Sequence, residues 1–258
     1  MGLLWADRFL FARPLRCVAC AMRHAGTTYL RAPVNPPSQR GIQLPEIVIR
    51  PATPRDTAVF MSLLAMAGRS SLDPDPDARD ILAAAHRRPM THSMNVALTA
   101  ELSDGMLAGA LVGGPSGPLL TSRGMSDPAL RSVLRPHISM VNAVAVHPDH
   151  RRRGIGSALI ETTEKLASRA SLKLIVLEHE PHNTEFYRRL GYTTVEGLVL
   201  DLPHAPVVLE DRSGLRLAFK ALTSSIEVSS GGPTPYPTIK GIRPRGAQTP
   251  LRRFSPAD

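Results

Sequence analysis

Residues 138–169 constrain the fold more than any other stretch of the chain. The run "ISMVNAVAV" (138–146) has the length, apolar content and β-branched residues of a buried strand. It passes through "HPDHRRRGIG" directly into a segment where Ile155, Leu159, Thr162 and Leu166 fall four, three and four residues apart, which makes one apolar helix face. A strand that ends in a Gly-x-Gly turn and opens a helix aims several unpaired backbone N–H groups, and the positive helix end, at one spot. Gly154 and Gly156 let a bulky anion reach the backbone with no Cβ in the way. Arg151, Arg152 and Arg153 add charge-assisted donors. The turn is suited to a phosphate-bearing ligand.

Several phosphate motifs are excluded by single residues. A dinucleotide fingerprint wants Gly or Ala at its sixth position, where Leu159 stands. The chain has no Gly-Lys-Ser/Thr for a P-loop. Reading Gly114 through Ser116 as a nucleophile elbow fails because Pro118 stands where the last glycine belongs.

Flanking segments alternate between strand and helix periods. Ile47 to Arg50 reads as a strand, followed by a helix that begins after Thr53 with Pro54 at its first position and Val59, Leu63, Met66 and Ala67 as its buried face. "DARDILAAAHR" (77–87) reads as a second helix. Residues 95–102 and 106–114 form a hairpin across Ser103-Asp104-Gly105, and 115–137 is a long connection. Strand 172–178, helix 183–190 and strand 192–200 come next, and strand 215–222 closes the sheet. These segments predict an α/β fold of the α+β mixed-sheet type, with about six to seven strands and four helices.

Charge and composition divide the chain into three parts. The formal net charge of +9 resides in the ends. Six arginines oppose only Asp7 in residues 1–45, and five basic residues oppose only Asp258 in 229–258, so the middle of the chain carries no net charge. We therefore expect a basic, poorly ordered N-terminal extension (1–45), a folded domain (46–222) and a disordered basic Pro/Gly/Ser-rich tail (223–258). A neutral core excludes nucleic acid as its main partner and leaves only weak polyanion contact through the tails. The first segment, Arg-rich and nearly free of acids, reads as a transit peptide, a true extension or an over-long start. Cys17, Cys20 and His24 supply three metal-ligand types without a fourth. No run of about 18 apolar residues would span a membrane, and a core without cysteine fits a cytoplasmic location.

The turn Arg151-Arg152-Arg153-Gly154-Ile155-Gly156, preceded by "VAVHPDH", resembles the Arg/Gln-x-x-Gly-x-Gly/Ala signature of the GNAT N-acetyltransferase family. "LEHEPHNTEFYRRLGY" is similar to the family's downstream block, with Glu178, Asn183, Tyr187, Gly191 and Tyr192 at matching positions. The resemblance covers about residues 46–222.

It implies a GNAT acyl-CoA N-acyltransferase fold and transfer of the acetyl group of acetyl-CoA, as cosubstrate, to a primary amine. It further implies that acetyl-CoA contacts Val144, Ala145, Val146, Arg151, Arg152, Arg153, Gly154, Ile155, Gly156, Ser157, Asn183 and Tyr187. A bulge before the turn would free backbone N–H groups near Ala145 and Val146 for the arm and the reacting carbonyl. Glu178 matches the position of a general base, and Tyr187 that of an acid whose phenol, of pKa about 10, faces a thiolate of about 8.5. The spacing Asn-x-x-Phe-Tyr resembles the small-molecule enzymes of the family. A silent acetyl-CoA-binding regulatory module and a protein N-terminal or lysine acetyltransferase are the alternatives, and a homodimer is compatible with any of them. His137, His147, His150, His179 and His182 cluster around this region, but no pair lies four apart on a helix, so no metal is expected. Asn142 falls near the expected acetyl position. Asp73, Asp75, Asp77 and Asp80 form an acidic stretch suited to a cationic amine or to solvent.

Overall fold

The computed structural model describes residues 46–67, 82, 95–115, 134, 136–202, 206–210, 214–230 and 234–242. The chain divides into two units, Met1–Glu46 and Ile47–Asp258. Outside the described residues lie the extension 1–45 with its two cysteines, the acidic stretch 73–80, the segment 243–258 and most of the 115–137 connection.

β1 (Ile47–Pro51) leads through a single 3-10 turn at Pro54–Asp56 into α1 (Thr57–Ala65). β2 (Val96–Leu102), β3 (Leu107–Pro115) and β4 (Ile138–Val146) follow, then α2 (Ile155–Arg169), β5 (Leu174–His179) and α3 (Thr184–Arg189). The remainder is all strand: β6 (Thr193–Val195), β7 (Gly197–Leu200), β8 (Val207–Glu210), β9 (Arg216–Ala221), β10 (Glu227–Ser229) and β11 (Thr238–Lys240).

A seven-stranded sheet runs β1-β2-β3-β4-β5-β9-β6, and a four-stranded sheet runs β10-β11-β7-β8. In the larger sheet β4 and β5 are the parallel pair, joined by the α2 crossover, and every other neighbour is antiparallel. The mixed α/β class and the β2–β3 hairpin are as the sequence led us to expect.

Both faces of the large sheet are covered, which explains why β2 reads as almost uniformly apolar rather than alternating. Val96, Leu98, Ala100 and Leu102 pack with Ile155, Leu159 and Ile160 of α2, while Ala97 packs with Phe60, Leu63 and Leu64 of α1. Farther along the sheet the second face is covered by the smaller sheet, through Leu174, Val176, Leu217 and Phe219 against Leu198, Leu200 and Val207.

The structure corrects four expectations. α1 buries Thr57, Phe60, Leu63 and Leu64, whereas Val59 (48 % exposed), Met66 and Ala67 face outward. "TAVFMSLLA" is apolar on most sides, so its period fits two rotational phases, and the sheet decides between them. The expected helix 77–87 lies outside the described residues except for Leu82, which is helical and buried against α1. The single strand expected at 192–200 breaks at Glu196 into β6 and β7, which join different sheets, and β9 inserts between β5 and β6 instead of closing an edge.

The fourth correction concerns the tail. Residues read from composition as disordered form β10 and β11, with β11 pairing parallel to β7. Ile226, Ile239 and Ile242 enter the core between the sheets. Three isoleucines spread over this stretch give no period, so only the partner strand reveals them. Gly241 adopts φ +82, and a Cβ there would run into the Ser225 carbonyl oxygen.

Arg50 fixes the entry to α1. Its guanidinium bridges Asp56 at 2.8 and 3.0 Å and also donates to Glu101 on β2. Asp56 in turn accepts from the Thr53 backbone N–H at 2.7 Å, closing the first turn. Arg50 holds the Asp56 carboxyl down at about 2, from an ordinary 3.8. A carboxyl lowered on folding stabilises the native state above its unfolded pKa and loses that contribution as pH falls through the folded one. The stability difference between wild type and Asp56→Asn should therefore shrink as pH drops from about 4 to about 2. Chemical denaturation at several pH values measures it, and parallel curves across that window would refute the coupling.

Candidate functional site

The site begins where β4 and β5 part. They pair from Ile138↔Leu174 to Val141↔Leu177 and no farther, although β4 continues to Val146 beside β3 and β5 to His179 beside β9. The register against β3 shifts at the same level, from Val112↔Ala143 to Gly113↔Val141, leaving Asn142 as the extra residue of a bulge. Packing records the shift: Val141, Val144 and Val146 contact the α2-side cluster, and Ala143 and Ala145 the α1-side cluster. A spacing of three between Val141 and Val144 on one face requires the extra residue.

The backbone groups that line the opening follow from the ladder. His147 N–H donates to the Ala108 carbonyl. Alternation along an antiparallel pair then turns Ala145 and Ala143 toward β3 and presents the N–H and C=O groups of Val144 and Val146 to the gap. Of the three strand-end residues predicted to meet the ligand, Val144 and Val146 therefore present backbone groups to the gap, and Ala145 turns its own to β3. Arg151 Nε already takes the Val146 carbonyl at 3.1 Å, tying the arginine turn back to the strand.

The turn itself is built on left-handed backbone. Arg152 has φ +62 and Gly154 φ +80; the conformation costs an L-residue roughly 1–2 kcal/mol and glycine almost nothing. α2 starts with no side-chain cap and no acidic residue in its first turn, and its first backbone bond is Ala158 N–H to the Gly154 carbonyl. The N–H groups of Ile155, Gly156 and Ser157 are thus left for an anion, with the helix dipole unneutralised. Arg151, Arg152 and Arg153 are exposed around them, and Arg153 Nη1 lies 3.4 Å from His150 Nδ1.

Close approach brings the rest together. A Cβ on Gly109 of β3 would lie 2.8 Å from Ile155 Cγ2 and 3.3 Å from the Ala145 carbonyl oxygen, so this glycine lets the start of α2 sit on the sheet. A Cβ on Gly156 would lie 3.4 Å from Phe186 Cζ and 3.7 Å from Val146 Cγ2, which joins α2, β4 and α3 at one point. Next to Phe186, the Tyr187 ring stands 4.9 Å from the His179 ring and 5.9 Å from that of Tyr192.

Tyr187 is 6 % exposed, and no described residue accepts a hydrogen bond from its hydroxyl. Burial pushes the phenol up to about 12. That differs from the ordinary value of about 10 assumed from sequence: the neutral phenol remains a good hydrogen-bond donor, while giving up its proton becomes harder. Glu178 is half-buried, and strand alternation puts it on the Leu174/Val176 face of β5, opposite the face that carries Tyr187. Asn183 precedes α3 as its N-cap without making a side-chain cap bond, and Ser157 is half-buried in the first turn of α2.

The five histidines do not converge. His147 faces Asp149 at 3.8 Å and His182 faces Glu180 at 3.0 Å, both on exposed turns. Among the described residues no three His, Cys, Asp or Glu side chains are grouped to hold a metal. Sequence reasoning did not single out Gly109, and it named His179 only among the five histidines weighed as metal ligands. A glycine inside an apolar strand was the signal for the first, and a histidine in step with Ile175 and Leu177 was the signal for the second.

Residues 125–194 match the model of an acetyltransferase (GNAT) domain, a span that contains β4, the arginine turn, α2, β5 and α3. Similar solved structures include a Salmonella typhimurium protein, yncA, described as a putative acetyltransferase with its cofactor acetyl-CoA. It is 18 % identical, with 69 % of this chain and 95 % of that one covered and a TM-score of 0.46. A putative GNAT acetyltransferase of Desulfovibrio desulfuricans is 14 % identical over 69 % and 100 % of the two chains, with a TM-score of 0.45. A ligand-free mutant of agmatine N-acetyltransferase is 18 % identical over 68 % and 99 %, with a TM-score of 0.44.

The Gly109 contact generates a prediction of its own. Gly109→Ala should lift the start of α2 from the sheet, costing about 1–3 kcal/mol of stability by overpacking and weakening binding of a phosphate ligand at the turn. Urea denaturation and calorimetry with acetyl-CoA measure the two effects, and a variant unchanged in both would show that the contact relaxes freely.

Proposed function

Taking the chain as a member of the GNAT acetyltransferases, we propose that it transfers the acetyl group of acetyl-CoA to a primary amine carried by a small molecule. The observation that carries the reading is the divergence of β4 from β5 directly ahead of an uncapped, arginine-flanked helix start. A long ligand with a diphosphate at one end and a thioester at the other needs these two features in series. Ile155, Gly156 and Ser157 receive the diphosphate through backbone N–H groups, with Arg151, Arg152 and Arg153 as outer charges. Val144 and Val146 hold the arm between the strands and leave a donor for the carbonyl oxygen as it gains charge.

Bound acetyl-CoA supplies the thioester whose carbonyl carbon the amine attacks and whose sulfur leaves. The attacking nitrogen must lose a proton, and we assign its acceptance to Glu178, which follows Leu177 on the Leu174/Val176 face of β5. Tyr187 approaches from the other side. With its phenol at about 12 it acts by donating a hydrogen bond to the departing sulfur, which lowers the barrier without full transfer of its own proton. The small-molecule assignment draws support from the brevity of α3, six residues long, as the Asn-x-x-Phe-Tyr spacing led us to expect.

Calorimetric titration with acetyl-CoA and with NADPH tests the binding reading: acetyl-CoA should bind and NADPH should not, and the reverse would overturn it. Tyr187→Phe should keep acetyl-CoA affinity and lose roughly tenfold or more in turnover, followed as thiol release with small primary amines. Unchanged turnover would remove Tyr187 from the chemistry, and turnover with peptide amines alone would replace the small-molecule acceptor by a protein one.

A further inference from the structure

His179 ends β5 and has a feature that the acetyl-transfer reading leaves unused. A backbone carbonyl can only accept, so the 2.7 Å contact between His179 Nδ1 and the Glu180 carbonyl oxygen fixes the proton on Nδ1. Nε2 is then a bare acceptor, and it is buried with no partner among the described residues, on a side chain that is 5 % exposed. An unpaired buried acceptor costs free energy that an incoming donor recovers.

Its place in the fold points to where that donor comes from. His179 lies two residues past Leu177, the last β5 position paired with β4. It therefore stands on the β5 side of the gap whose β4 side presents Val144 and Val146. Alternation sets it on the Leu177 face, against the Tyr187 ring of α3. Arg216 is opposite it on β9, and Glu180 and His182 follow in the next turn. Burial lowers the imidazole pKa; the Glu180 carbonyl opposes this, and Arg216 and His182 add to it. The ring stays neutral and keeps its lone pair near pH 7.

We propose that His179 Nε2 is a binding acceptor for acetyl-CoA, taking the hydrogen bond of an amide N–H in its pantetheine arm. The proposal rests on the acetyl-CoA reading given above. Each amide of the arm brings one donor and one acceptor. The N–H groups of Val144 and Val146 serve an arm carbonyl and the thioester oxygen; of the two carbonyls that β4 presents, that of Val146 already accepts from Arg151, so the Val144 carbonyl stands against two N–H groups of the arm. Nε2 supplies a second acceptor from the facing strand, closed to water, where a hydrogen bond is strong.

Calorimetry with acetyl-CoA on wild type, His179→Leu and His179→Gln, together with NMR of isotope-labelled histidine in the wild type, tests this. Saturating acetyl-CoA should shift the His179 Nε2 resonance toward that of a hydrogen-bonded acceptor while Nδ1 stays in place. His179→Leu should lose about tenfold in affinity, and His179→Gln, whose amide oxygen can accept, should recover most of it. An Nε2 resonance unmoved in saturated wild type would overturn the proposal even if the leucine variant does not fold. So would undiminished affinity of the leucine variant, or loss of thiol release with affinity intact, which would make His179 a proton carrier instead. Wild type that binds no acetyl-CoA would sink the underlying reading, a result distinct from binding that is indifferent to His179.

Discussion

β4 and β5 are held together by ladder bonds only as far as Val141 and Leu177, and the rest of the site depends on their parting there. The cause is local: Asn142 is one residue more than β3 can match, so β4 bends at that level and turns its remaining edge away from β5. Two consequences follow from the one extra residue. Backbone groups that would otherwise be spent on a parallel ladder face an opening, and the side chains of β4 change faces, sending Val144 and Val146 toward α2. Without the bulge, β4 would continue its ladder with β5 and the arginine turn would stand beside a closed sheet.

The opening is useful because packing holds the start of α2 against it. Gly109 is a place where helix and sheet approach closely, and Ile155, the first residue of α2, is buried against β3 through the space that Gly109 leaves. The uncapped N–H groups are thereby fixed at the end of the gap instead of swinging in solvent. Interior packing is dense enough that one methyl group at such a contact is felt.

Polar groups inside the fold divide into those that are satisfied and those that are not. Lys220 is held by Glu164 at 2.6 Å and by the Leu190 carbonyl at 2.7 Å, and it lies over the Tyr192 ring; this set fastens β9, α2 and the end of α3. A buried pair of this kind is costly to break and contributes little beyond its own desolvation. Tyr187 and His179 differ: both are buried, burial disfavours the charged form of each, and the His179 Nε2 acceptor has no partner among the described residues beside the gap.

The strand 138–146, the arginine turn and the helix from Ile155 were legible because each depends on neighbours in sequence: apolar run, glycine at positive φ, residues three and four apart. Acetyl-CoA chemistry could be inferred from that same stretch and from the block around Tyr187. The rotation of α1, the insertion of β9 between β5 and β6, and the recruitment of Ile226, Ile239 and Ile242 into a second sheet were not legible. Each depends on which surface a segment meets, and short strands or uniformly apolar helices carry no period to announce it. The sequence by itself determined an anion-binding turn between strand and helix, since backbone geometry and charge there are local. Only the tertiary structure decided that the strand ahead of it splays, that Val144 and Val146 face the opening while Ala145 does not, and that His179 stands across from them. Those outcomes depend on register between strands distant in sequence, which a single residue at Asn142 resets.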